Sequence, residues 1–161
     1  MEKEHDLEKL KKEYEKIQNK YGLPSFKELN QDFGIEKIAV DETEILIREV
    51  RKFVGDKMLS YMRFIENLLN PVNVPMFVFS IVKSLDQEDK KKLSETYSEL
   101  TKNEIKLIEL DLEFNEDKEA DFVKDSYKLW QNTKKDMVKI LEKVDSNQEK
   151  KSESNGKGYY G

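Results

Sequence analysis

From residue 1 to residue 21 the apolar positions are Leu7, Leu10, Tyr14, Ile17 and Tyr21. Their spacing of three, four, three, four is the a/d seam of a heptad on an otherwise charged helix. Two readings stay open for this segment: a helix laid on the rest of the domain, or one that pairs with a second copy. Gly22-Leu23-Pro24 stops it. Ser25 with Glu28 three residues on is a capping-box signature, so a short helix is predicted to Phe33, closed by Gly34. IEKIAV (35–40) reads as extended or as a linker.

The acidic start DETE (41–44) opens a long helix that Asn70-Pro71 ends. Gly55 within it marks either a close helix crossing or nothing. After PVNVP, with Asn73 and Pro75 suited to a helix start, MFVFSIVKSL is apolar on nearly every side. Such a segment is usually central in a bundle, so it is placed there, with a strand as the rival. Asp86 caps the next helix, which keeps its period through IKLIELDLEF on a face of Ile105, Ile108 and Leu112. NED (115–117) interrupts or caps. The last helix carries a core stripe of Phe122, Val123, Ser126, Trp130, Thr133, Met137, Ile140, Leu141 and Val144.

The apolar pattern stops at Val144, and residues 145–158 contain no Val, Ile, Leu or Phe. A stretch that can bury nothing does not offset its chain entropy, so disorder is predicted there. The predicted fold class is all-α, an antiparallel bundle of four to six helices with a disordered C-terminal tail. Its divisions are an N-terminal amphipathic helix (1–22), the bundle (23–144) and the tail (145–161).

Composition narrows function by exclusion. Charged residues make up 39% of the chain against 37% apolar, with a net charge of −5. A nucleic-acid partner is not expected without a basic face. With no cysteine, disulfides, thiol chemistry and thiolate metal sites are excluded. The N-terminal residues lack the apolar core of a signal peptide. The longest near-apolar run, Val74–Val82, is too short to span a bilayer. The expectation is a cytoplasmic protein without membrane attachment. The single histidine, His5, has no partner spacing for zinc or for a di-iron bundle, and no phosphate-binding loop is present. No catalytic residue, metal or cofactor is therefore assigned, and the chain is read as not an enzyme. Arg48, Arg51 and Arg63, the only arginines, either pair with acids across the bundle or form a small docking patch.

The sequence closes on SNGKGYYG, two aromatic residues on a polar, glycine-spaced stretch. Tyr159-Tyr160-Gly161 resembles the C-terminal hydrophobic-Tyr-any motif of proteasome activators and assembly factors. The resemblance covers these three residues, and no family is recognised over residues 1–144. It implies that Tyr159 is a hydrophobic anchor, Tyr160 the residue acting on the gate, and Gly161 the source of a carboxylate, all docking between α subunits of a 20S core particle. Without a phosphate-binding loop the chain would belong with the ATP-independent activators. One such tip binds only at on the order of 0.1–1 mM, so a homo-oligomer presenting several tips is implied. Leu7, Leu10, Tyr14 and Ile17 are the candidate oligomer contact. The alternative is a helical scaffold or coiled-coil interaction protein whose tail is incidental.

Overall fold

The computed structural model describes the backbone of residues 1–157 and the side chains of residues 1–147. Among the described residues the chain is all-α, a helical bundle with no strand. The helices are α1 (Glu2–Tyr21), α2 (Phe26–Phe33), α3 (Leu46–Leu69), α4 (Met76–Lys83), α5 (Gln87–Leu112) and α6 (Glu116–Lys157). Two 3-10 turns, Ile35–Lys37 and Val40–Glu42, occupy the stretch read as extended or linker. No helix among the described residues is long and apolar enough to cross a membrane.

The chain forms two compact units, and α3, α5 and α6 contribute to each. The first comprises Met1–Ser60 and Leu100–Trp130. Here α1 ends at Gly22 and α2 at Gly34, both in the left-handed conformation that glycine adopts without strain. The capping box of α2 is complete. Ser25 Oγ accepts from the Glu28 backbone N–H at 3.2 Å, and the Glu28 carboxylate accepts from the Ser25 N–H at 2.8 Å. Arg51 on α3 bonds to Asp111 near the end of α5, and Gly55 faces Leu107, so α3 and α5 run antiparallel. Asn115 caps α6 by accepting from the Lys118 N–H at 3.0 Å. This reverses the chain, and Asn103 Nδ2 donates to Ser126 Oγ at 2.8 Å between the two helices.

The second unit comprises Tyr61–Glu99 and the chain from Gln131 onward. Its core is Ile65, Leu68, Val78, Ile81, Leu85, Leu93, Met137, Ile140 and Val144. Asp86 accepts from the Asp89 N–H at 2.8 Å, and the Asp89 carboxylate accepts from the Asp86 N–H at 3.1 Å, a reciprocal cap at the start of α5. Lys143 on α6 donates to both carboxylates, at 2.5 and 2.8 Å. Lys92 lies 3.9 Å from Asp136, so α5 and α6 are antiparallel in this unit as well.

Two placements differ from the sequence reading. First, α4 is not central. Val78 and Ile81 are buried, but Met76, Phe77 and Phe79 are exposed. An eight-residue helix laid on a core buries one side only, and α3, α5 and α6 already supply the remaining core residues of that unit. Second, IKLIELDLEF is helical to Leu112, but its inward face is Leu100, Asn103, Leu107 and Leu110, while Ile105, Ile108 and Leu112 are exposed. The polar Asn103, satisfied by Ser126, disguised the buried side. Leu141, placed in the core stripe of α6, is exposed for a similar reason: it lies beside the stripe that Met137, Ile140 and Val144 complete. The backbone of α6 is described as helical to Lys157. The Lys, Glu and Gln of its last stretch are good helix formers, and no Gly interrupts it before Gly156.

Candidate functional site

The residues proposed from sequence as an oligomer contact are drawn into the chain's own packing. Leu10 and Tyr14 are buried within the first unit, and Leu7 and Ile17 are half-buried. The Tyr14 hydroxyl donates to the Pro24 carbonyl at 2.5 Å, and its ring meets Phe26 edge-on at 5.6 Å. Burial raises the Tyr14 phenol well above its ordinary value, with Glu28 adding to the effect. Leu10 and Tyr14 therefore pack within the chain itself, while Leu7 and Ile17 stay partly open. Tyr159, Tyr160 and Gly161 lie outside the described residues.

Of the arginines, Arg51 pairs inside the bundle. It is buried, and Glu119 opposite it on α6 is fully enclosed. Arg51 Nε and one terminal nitrogen donate to the two Glu119 carboxylate oxygens at 2.5 and 3.2 Å, and the other terminal nitrogen donates to Asp111 at 2.8 Å. Arg48 lies over the Phe114 ring at 5.6 Å. Sequence reading missed Glu119, although it precedes Phe122, Val123, Ser126 and Trp130 at helical spacing and so falls on the core stripe.

Two of the hollows lined by described residues of the first unit have the size of ligand sites but not the chemistry. One, of about 440 Å³, is lined by Lys9, Lys16, Lys20, Tyr21, Glu44 and Glu116 among others. Each of its lysines already has a carboxylate: Lys9 pairs with Asp41, Lys16 with Glu13 at 2.8 Å, and Lys20 with Glu116 at 3.6 Å. The other, of about 430 Å³, lies between the end of α5 and the start of α6, where Glu109, Glu113, Asp121 and Asp125 alternate with Lys106 and Lys118. Among the described residues no group of three or more His, Cys, Asp or Glu side chains is placed to hold a metal ion.

The surface with a distinct character is the outward side of α4 and the turn before it. Pro71 and Pro75 bracket that turn, and Asn73 takes the left-handed backbone (φ 55°) that Asn tolerates better than most residues. Pro75 then stands at the N-cap of α4. At 100° per residue Val78 and Ile81 face inward, which turns Met76, Lys83 and Ser80 outward, with Phe79 and Phe77 on opposite flanks of that face. Met76 is 82% exposed, Val72 66% and Phe77 64%. From Asn67 to Leu85 the sole charged residue is Lys83, in a chain that is 39% charged. The serines add little polarity. Ser80 Oγ donates to the Met76 carbonyl at 3.4 Å, and Ser84 Oγ to the Ser80 carbonyl at 3.2 Å. This apolar surface contrasts with the dense charge of the rest of the chain. No protein-family model, curated protein or solved structure matches this chain.

Proposed function

We propose that this chain is a cytoplasmic, non-catalytic interaction protein, a helical scaffold that docks through the outer face of α4. The observation that carries the reading is the exposure of Val72, Met76 and Phe77 on a segment with one charge in nineteen residues. Leaving such side chains in water forgoes about 1.5–3 kcal/mol for each that a partner would bury. The long helices supply a rigid support for that face, as binding surfaces require. The test is a comparison of the intact chain with a Met76→Asp/Phe77→Asp variant, each immobilised and exposed to a lysate of the source cells. Proteins retained by the intact chain and by an Ile108→Asp control, and lost by the α4 variant, are the expected result. Equal retention by all three overturns the reading.

Docking of Tyr159-Tyr160-Gly161 into a 20S core particle is a second reading, and the sequence of those three residues favours it. It needs Gly161 to supply a terminal carboxylate, a mode in which a preformed pocket captures a chain end. Removing the three residues, or adding one after Gly161, then abolishes stimulation of peptide cleavage by the core particle. Undiminished stimulation by both variants ends that reading.

A further inference from the structure

We infer that the outer face of α4 is covered by the same face of a second copy of this chain. The inference rests on the docking reading above and names its partner. A two-fold contact sets a surface against itself, so the surface has to be complementary to itself. Met76, Phe77, Phe79 and Val72 carry no charge, and Lys83 is the one charged side chain among them. Elsewhere the chain is densely charged with a net −5, which disfavours close approach of two copies through those charged surfaces.

The lone cation fits the same arrangement. When two copies of α4 cross antiparallel about Phe79 and Ser80, Lys83 of each lies beside Met76 of the other. The two ammonium groups are then separated by roughly 10 Å along the helix, about one Debye length at physiological salt, and each methylene stem covers apolar surface. The Ser80 and Ser84 hydroxyls donate within their own helix, so closing the contact strands no donor.

Other occupants fit less well. An anionic lipid surface repels a chain of net −5, and one lysine is far short of the four to eight basic residues of lipid-recognising clusters. A charged peptide finds no complementary charges. The area also sets the strength. The exposed parts of Met76, Phe77, Phe79 and Val72 amount to roughly 400–500 Å² per copy, hence roughly 800–1,000 Å² across the pair. That is below the standard size of about 1,200–2,000 Å², so the dimer is weak and reversible.

The chain contains no cysteine, so Ser80→Cys introduces a single thiol at the centre of the face. At about 100 μM protein, where a weak pair is populated, mild oxidation is expected to link Ser80→Cys into a covalent dimer, and not Ser60→Cys, an exposed position on α3. Sedimentation equilibrium is expected to show a monomer–dimer equilibrium. Met76→Asp/Phe77→Asp should raise its dissociation constant at least about tenfold, with the helical circular dichroism unchanged. Linking of both cysteine variants at equal rates, or a dimer indifferent to the α4 substitutions, overturns the inference. So does flotation of the intact chain with neutral phosphatidylcholine vesicles that the α4 variant does not share. A monomer whose capture of another protein is lost with the α4 substitutions overturns self-association and leaves the docking reading standing. A monomer in which those substitutions alter nothing overturns both.

Discussion

Arg51 is the largest fully buried side chain of the described residues, and two helices answer its charge. Burial works against the guanidinium charge; the hydrogen bonds to Glu119 and then Asp111 outweigh it, so its proton is held more tightly than usual. Removing one partner leaves the other charge enclosed. Arg51→Met is therefore expected to cost about 3–5 kcal/mol in urea unfolding, and Arg51→Met/Glu119→Leu to recover most of it, because an apolar pair replaces a buried ion pair at little cost. Lys143 and Asp86 present the exposed counterpart. The Lys143 ammonium, then the Asp89 backbone N–H, hold the Asp86 carboxyl down to about 2, from 3.8. Lys143 is shifted upward by the Asp86 and Asp89 carboxylates. A carboxylate with a folded value below its unfolded one adds stability above about pH 4, and that contribution disappears as the pH falls toward 2. The lysine contributes fully below its ordinary 10.5 and loses its share only in strong alkali. Thermal melts between pH 5 and pH 2 should therefore show the wild type losing more stability than Asp86→Asn, which keeps a capping side chain but not the charge.

At the scale of elements, what the sequence made legible was local and what it concealed was tertiary. Ser25 and Glu28, Gly22 and Gly34, Asp86 and Asn115 mark helix ends through contacts three or four residues apart, and each forms where its spacing places it. The inward side of α4 was not legible, because a segment apolar all round carries no phase; only the helices packed beneath it select Val78 and Ile81 over Met76 and Phe77. The partner of Arg51 lies 68 positions away, beyond any local pattern. Thus the candidate face was visible in sequence as an uncharged run but not as a surface. Gly55 shows the same division. Sequence left it as a close crossing or nothing, and the structure gives the crossing: a Cβ there would meet both Leu107 methyl groups at 2.9 Å. Alanine at this position would favour the helix by up to about 1 kcal/mol, but overpacking costs about 1–3 kcal/mol. Gly55→Ala is expected to destabilise the chain by about 1 kcal/mol. On a Leu107→Ala background, where the methyl groups are gone, the same change should stabilise. A double-mutant cycle in denaturant reads that reversal of sign, and an unchanged sign would mean that Leu107 does not set the limit on this crossing.

For the whole molecule, net charge and apolar surface oppose each other, and salt separates them. Two copies of a chain carrying −5 repel at long range. The face formed by Val72, Met76, Phe77 and Phe79 attracts at contact and is nearly indifferent to ionic strength. Raising salt from about 50 to about 500 mM shortens the screening length from roughly 14 to roughly 4 Å, which removes the repulsion and leaves the attraction in place. Self-association through α4 is therefore expected to tighten with salt, and to tighten further in sulfate, which strengthens apolar burial. Partnership through the hollow edged by Lys9, Lys16 and Lys20, or through the acidic groove of Glu109, Glu113, Asp121 and Asp125, carries the opposite sign, since screening weakens attraction between unlike charges. Sedimentation equilibrium at the two salt concentrations measures the slope directly. Association that weakens as salt rises would move the contact from α4 to one of the charged surfaces, whatever the α4 substitutions do to the affinity at a single ionic strength.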